Sequence, residues 1–167
     1  MKRPSGILGL LLLLLVFLTY CEKPDSYPIN PQIEYEAVYL IDTTDPLGNT
    51  GSAPLLVFSF VDGDGDIGLK QSDTSGVYST DSTFHNNLFF TLYEKVNGEF
   101  QEADSLLFGF NYRIPFVGWE ESNRALKGQI YVQFVPLYFD TIKFEFYMVD
   151  RALHKSNVET SPEIALN

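Results

Sequence analysis

The stretch PLLVFSFVD at Pro54–Asp62, which runs directly into GDGDIG at 63–68, decides the fold of this chain. It is apolar almost throughout and carries two phenylalanines. Aromatic and β-branched residues favour pleated strands, and a short, nearly unbroken apolar run is typical of a strand that is covered on both faces. The aspartates and glycines that follow are turn residues and end the strand. Pro54–Asp62 is therefore predicted to be a central strand of a packed β-sheet domain.

Strand patterns continue on both sides of this segment. Asn97-Gly98 separates two of them and predicts a hairpin, because both residues tolerate the positive φ of a type I′ turn. Thr141–Val149 alternates, with Ile142, Phe144, Phe146 and Met148 on one face and Lys143 and Glu145 on the other. The other predicted strands are Ile33–Asp42, Leu88–Val96, Glu99–Ala103, Leu106–Ile114, Ala125–Val135 and, at the C-terminal edge, Asn157–Leu166.

The pattern predicts an all-β fold, because no long window after the N-terminal apolar run shows a 3.6-residue period. Short strands separated by turns favour an antiparallel, immunoglobulin-like β-sandwich of about 7–9 strands. A small barrel is the alternative. The predicted organisation is a signal peptide at 1–20, a proline-rich tether at 21–31 and a β-sandwich domain at 32–167.

The N-terminus predicts a lipid anchor on Cys21, the single cysteine of the chain. Lys2 and Arg3 form a basic n-region, and an apolar stretch at 6–18 forms the h-region of a secretory signal. The next residues, LTYC at 18–21, resemble a lipobox, in which cleavage before cysteine precedes acylation. The apolar run is too short for a membrane-spanning helix of about 20 residues.

The charge of the chain excludes one class of partner. After residues 1–20 are removed, nine basic and twenty-two acidic residues leave a formal charge of −13. Nucleic acid requires a basic face, and charge-driven binding to anionic lipid requires basic clusters. We therefore expect no nucleic-acid partner, and we expect membrane attachment through the lipid on Cys21 alone. An acidic surface also suits divalent cations.

The loop DGDGDIG at 62–68 has three interpretations. Its glycines fit G-x-G-x-x-G, but no helical pattern follows and three aspartates would repel a phosphate. Asp62, Asp64 and Asp66 have the alternating spacing that supplies oxygen ligands to Ca²⁺, although the loop is not a proper EF-hand. A tight turn without metal is the third interpretation, because Asp and Gly are common turn residues.

The predicted topology brings a fourth carboxylate to this loop. In an immunoglobulin-like sandwich the B–C and F–G loops lie at the same end. If Leu55–Val61 is strand B and Thr141–Val149 is strand F, Asp150 faces the acidic loop and completes a candidate Ca²⁺ site with Asp62, Asp64 and Asp66. Alternatively, Arg151 pairs with one of these aspartates and takes the place of the metal.

No catalytic constellation is recognisable, so we expect a protein that is not an enzyme. The chain has no G-x-S-x-G elbow and no H-E-x-x-H motif. His85 and His154 fall in polar loops, and the adjacent pair Glu120-Glu121 is typical of a solvated loop. Trp119 either caps the core from its loop or stacks on a sugar ring. We therefore predict no catalytic residues and no residues that bind an organic cofactor.

Two motifs together resemble one family. The stretch LVFSFVDGDGDIGL at 56–69 and the C-terminal DRALHKSNVETSPEIAL at 150–166 are similar to a group of Bacteroidota lipoproteins without a known activity. The stretches FNYRIP at 110–115 and ALKGQI at 125–130 are similar as well. The resemblance implies a β-sandwich in the cell envelope, lipid-anchored at the outer membrane on its periplasmic or its surface-exposed side. It implies no reaction.

The function expected from the sequence is a non-enzymatic binding or structural module with an envelope protein or a glycan as partner. The alternative is a carbohydrate-binding accessory lipoprotein of outer-membrane glycan uptake. That alternative requires an exposed aromatic platform, for which Trp119 is the candidate in the sequence.

Overall fold

The computed structural model describes residues 27–103, 109–117 and 125–166, which form two packed β-sheets. The strands in chain order are β1 Gln32–Thr44, β2 Thr50–Asp62, β3 Leu88–Val96, β4 Glu99–Glu102, β5 Asn111–Tyr112, β6 Leu126–Gln133, β7 Thr141–Met148, β8 Glu159–Thr160 and β9 Ile164–Ala165. The helical elements in these ranges are single 3-10 turns at Gly76–Tyr78 and Thr83–His85. The predicted all-β class is confirmed.

The strand order is that of an immunoglobulin-like sandwich. One sheet runs β1-β2-β6, and the other runs β4-β3-β7-β8 with β5 beside β3 and β9 beside β7. Every named pair is antiparallel. The strands β2, β3, β6 and β7 thus hold the B, C, E and F positions. Because no described strand pairs across the two sheets, the alternative of a small barrel is wrong.

The hairpins follow from local sequence. The strand β3 has the predicted bounds, and Asn97 (φ 53°) and Gly98 (φ 89°) form the turn to β4 with the positive φ values that a type I′ turn needs. The hairpin of β1 and β2 extends beyond the apolar part of its strands. Its pairing begins at Gln32 and Val61 and continues to Thr44 and Thr50.

Two predicted strands depart more from the sequence pattern than the others do. Of Leu106–Ile114, residues 106–108 lie outside the described ranges, and pairing of the rest is limited to β5. The predicted strand Asn157–Leu166 is divided into β8 and β9. The break has a clear cause, because the Ser161 hydroxyl accepts a hydrogen bond from the Phe144 amide (2.9 Å) and Pro162 has no amide hydrogen to donate.

An aromatic core joins the two sheets. Phe134 stacks on Phe144 with ring centroids 4.2 Å apart, and Phe90 stacks on Phe146 at 5.2 Å. Phe58 of β2 meets Phe146 of β7 at 5.1 Å, so the central strands of the two sheets contact each other directly. Such aromatic pairs add roughly 0.5–1.5 kcal/mol each beyond the burial of their area.

This packing predicts a large loss of stability for Phe58→Ala. Phe58 is fully buried, so truncation leaves a cavity between the sheets, and the free energy of unfolding should fall by about 3–5 kcal/mol. Tyr39→Ala on the same sheet is the matched control, because Tyr39 is 56 % exposed and its loss should change stability far less. Urea unfolding of both variants measures the difference. Equal losses would contradict the assignment of Phe58 to the inter-sheet core.

Candidate metal centre

The inward-facing row of side chains on β2 ends in a carboxylate. Successive inward positions are Leu56, Phe58 and Phe60, all buried, and period-2 alternation gives the next inward position to Asp62. Asp62 therefore enters the end of the core and is 0 % exposed. Its Oδ2 accepts a hydrogen bond from the Asp66 backbone amide (2.8 Å), which folds the acidic loop back over the strand end.

The inward row of β7 ends in the same way. Ile142, Phe144, Phe146 and Met148 are buried on one face, and the next inward position falls to Asp150, which is 1 % exposed. Asp150 Oδ1 accepts a hydrogen bond from the His154 backbone amide (2.7 Å), and Oδ2 lies 2.9 Å from His154 Nδ1. The loop after β7 is thus closed around this carboxylate.

Glycines allow the acidic loop to pass close to neighbouring backbone. A Cβ on Gly63 would stand 2.5 Å from the carbonyl oxygens of Tyr27 and Pro28, and a Cβ on Gly68 would stand 2.3 Å from that of Pro115. Gly68 also has a positive φ of 89°. Side chains at either position would push the loop away from these segments. Ile67 between them is fully buried and anchors the loop in the core.

The four predicted carboxylates converge into one cluster, which we call the quartet. Asp62, Asp64, Asp66 and Asp150 each offer one oxygen, and these oxygens all lie within 4.8 Å of one another. The Oδ1 atoms of Asp62, Asp64 and Asp66 are buried and receive no hydrogen bond from any described residue. The expectation that the two loops meet at one end of the sandwich is confirmed. Whether the cluster takes Ca²⁺ stays a prediction.

Burial raises the pKa values of Asp62, Asp66 and Asp150 above the ordinary value of an aspartate. Desolvation, with the nearby charges of Asp64 and Asp66, raises the pKa of Asp62 to about 7. Burial and the charge of Asp150 raise the pKa of Asp66. Burial also raises the pKa of Asp150, although its hydrogen bonds from His154 act in the opposite direction. The hydrogen bond to Asp150 in turn raises the pKa of His154.

Arg151 does not take the place of a metal ion in this cluster. Its guanidinium Nη1 lies 3.3 Å from the Oδ2 of Asp73, outside the quartet, and the group stacks over the Phe116 ring at 5.3 Å. The alternative in which Arg151 pairs with one of the four aspartates is therefore wrong. The backbone amide of Arg151 instead donates to the Asp66 carbonyl (3.4 Å), which joins the two loops without neutralising them.

The other candidate residues fall into two groups. His85 lies beside the Tyr78 carbonyl, with its Nδ1 3.3 Å from that oxygen, and it is not part of the quartet. The sequence pattern placed His154 in a polar loop and did not predict its contact with Asp150. Its position four residues after Asp150 was the available signal. Cys21, Trp119, Glu120 and Glu121 lie outside the described residues.

The arrangement suits a hard cation better than a phosphate. After Gly68 the chain forms a bridge between Leu69 and Pro115 instead of a helix, so the glycines do not begin a helical phosphate site. Four carboxylate oxygens present only acceptors, and carboxylates are the ligands that Ca²⁺ and Mg²⁺ prefer. The cluster can concentrate positive charge.

Comparison with known proteins gives no match to a family model, a curated protein or a solved structure. Within the three described ranges, no helix is long and apolar enough to cross a membrane.

The raised pKa of Asp62 predicts a pH dependence of stability when metal is removed. A carboxyl with a pKa near 3.8 when unfolded and about 7 when folded binds its proton more tightly in the folded state. The stability that Asp62 contributes to the folded state is therefore fully present below about pH 4, and it is lost as the pH rises to about 7. We expect the free energy of unfolding in chelator to fall over this window, and to fall less steeply in Asp62→Asn.

Urea unfolding at stepped pH, in buffer freed of divalent cations, makes this comparison. Asp81→Asn is the matched control, because Asp81 is exposed and the substitution removes the same formal charge. It should keep the slope of the unsubstituted protein. Parallel slopes for the unsubstituted protein and Asp62→Asn would show that Asp62 does not titrate with the shifted pKa.

Proposed function

We propose that this chain is a non-enzymatic, lipid-anchored module of the bacterial cell envelope, in which one calcium ion fixes the loop end of the sandwich. The observation that supports the cation is the convergence of Asp62, Asp64, Asp66 and Asp150 from two opposing sheets. The role of the domain is binding or structural, with an envelope protein or a glycan as partner.

The spacing of the oxygens favours calcium. Ca²⁺ takes its ligands at 2.3–2.6 Å, so ligands on opposite sides of one ion are about 4.6–5.2 Å apart. The four oxygens lie within 4.8 Å of one another, so a single Ca²⁺ could contact all four. Mg²⁺ holds its ligands at about 2.0–2.1 Å and keeps several waters, so it suits a cluster of four protein carboxylates less well.

The electrostatics supply a reason for a bound ion. Four carboxylates at this separation repel one another in a partly dehydrated site, and each ionised group that lacks a partner is costly to bury. A divalent cation would neutralise half of their combined charge and would occupy the lone pairs that have no donor. A module of this kind gains stability from calcium where other exported domains use disulfides, since the chain has one cysteine.

The envelope location rests on the N-terminal sequence. Cys21 follows an apolar signal, and the net negative charge of the domain beyond it disfavours attachment to anionic lipid through charge. Two acyl chains hold a protein on a bilayer far more firmly than one, so a lipidated Cys21 suffices as an anchor.

Calcium should raise the melting temperature of the protein. At a free concentration about 100 times Kd, a ligand that binds only the folded state stabilises it by ~2.7 kcal/mol, which is roughly 5–10 °C for a domain of this size. Differential scanning fluorimetry in millimolar CaCl₂ against chelator measures the shift, with equimolar MgCl₂ expected to give a smaller one.

The double variant Asp62→Asn/Asp66→Asn should lose the calcium shift, and Asp81→Asn should retain it. Screening of a generally acidic surface by calcium would act on both variants alike. Coordination at the quartet would be lost only in the double variant. An unchanged melting temperature in millimolar calcium would reject the calcium site.

Substitution of the lipidated residue should release the protein from the membrane. When the full chain is produced in a bacterium with lipoprotein processing, we expect incorporation of labelled palmitate and recovery in the membrane fraction. Cys21→Ser should abolish both. A Cys21→Ser protein that still sediments with membranes would contradict the anchor and would point to attachment through the folded domain.

A further inference from the structure

The free edge of the three-stranded sheet borders an apolar groove. The strand β6 pairs with β2 on one side, and none of the described strands pairs with it on the other. A groove of about 510 Å³ runs between this edge and the segment 112–117. Phe60, Ile130 and Val132 line its floor, and the rim residues Tyr131 and Val117 are 62 % and 56 % exposed.

The ladder to β2 shows which amides of β6 point outward. The Phe134 amide donates to the Pro54 carbonyl (2.9 Å), in register with the pairs of β6 and β2. Antiparallel ladders alternate hydrogen-bonded and non-hydrogen-bonded pairs, so Val132, Ile130 and Gly128 are bonded to β2. The N–H and C=O groups of Gln133, Tyr131, Gln129 and Lys127 therefore face away from β2, along the free edge. Such an edge is a template for another strand.

The charge around this edge differs from that of the rest of the chain. Residues 109–117 and 125–139, which carry both walls of the groove, contain no acidic residue, although the chain has twenty-two. Two copies of a protein with net charge −11 repel each other over most of their surfaces. These segments therefore bring no carboxylate of their own to a second copy, and Glu36 of β1, which accepts a hydrogen bond from the Gln129 side-chain amide, is an acidic side chain that reaches this face.

We infer that two copies of this chain associate through antiparallel pairing of their β6 strands, with Ile130 on the twofold axis. In this register Gln129 bonds with Tyr131 of the second copy, and Lys127 bonds with Gln133 of the second copy. These are the residues whose backbone groups face the free edge, and the pairs contain no two like charges. The two three-stranded sheets then form one continuous six-stranded sheet, and the interface is isologous.

The inner face of the strand fits the same register. The Phe60 ring occupies the space beside Gly128, so a Cβ at this position would lie 3.1 Å from the ring. Pairing about Ile130 sets Val132 of the second copy opposite Gly128, so a branched side chain stands beside each glycine. Ile130 meets its own copy at a non-hydrogen-bonded pair, where side chains are closest. This inference uses none of the calcium ligands and does not rest on a bound ion.

The oligomeric state of the full lipidated chain in detergent tests the inference. We expect the mass of two chains by light scattering coupled to size exclusion, after subtraction of the detergent. Gln129→Pro removes an outward amide without loss of a bond to β2, and the dissociation constant should rise roughly tenfold or more. Gln129→Ala keeps the amide and should remain dimeric. A monomer for the unsubstituted chain, or equal association of Gln129→Pro and Gln129→Ala, would overturn the inference.

A cysteine cross-link gives an independent readout if Gln129→Pro does not fold. Non-hydrogen-bonded partners have Cα atoms about 4.5 Å apart, which is within disulfide range, so Ile130→Cys should form a covalent dimer in oxidised cells. Val132→Cys faces Gly128 in this register and should not, and the unsubstituted chain controls for Cys21. No cross-link at 130, or one at 132 alone, would refute this pairing. A cross-link to a different polypeptide would show that another protein occupies the edge.

Discussion

The alternation of side chains along two central strands is the constraint on which the rest of this structure depends. On β2 and β7 every second residue enters the space between the sheets, and the rows of Phe58 and Phe146 meet there at 5.1 Å. The same period then carries Asp62 and Asp150 inward at the strand ends. One geometric rule therefore builds the apolar core and also places two carboxylates where water is excluded.

The sandwich accommodates these carboxylates by closing loops around them and leaving some oxygens unpaired. Asp62 and Asp150 each accept the backbone amide four residues later, at 2.8 and 2.7 Å, so both loops turn tightly over their strand ends. These bonds satisfy part of each carboxylate and bring Asp64 and Asp66 into the same space. A metal-free cluster would hold protons with raised pKa values, whereas a bound cation would displace them. A cation bound at the proposed site would therefore compete with protons for one set of oxygens.

The sequence predicted the parts of this arrangement that follow from periodicity and topology. Alternation and turn residues identified β3 and the Asn97-Gly98 turn, and the order of an immunoglobulin-like sandwich brought Asp150 to the acidic loop. It did not predict that Arg151 pairs with Asp73, because that contact depends on how the long loop between β2 and β3 folds. The pairing of His154 with Asp150 depends in the same way on a turn with Leu153 at φ 69°, which side-chain patterns do not specify.

The course of the N-terminal segment relates the acidic cluster to the proposed lipid anchor. Gly63, next to Asp62, donates its amide to the Pro28 carbonyl (2.9 Å), so the chain enters the domain at the end that holds the four carboxylates. Six residue steps separate Cys21 from Tyr27, and an extended chain advances at most ~3.6 Å per residue, which gives about 20 Å. An acylated Cys21 would therefore hold the cluster near the lipid surface. The hairpin turn at Asn97-Gly98 lies at the opposite end of β3, so with that anchor it would lie farther from the bilayer than the acidic cluster does.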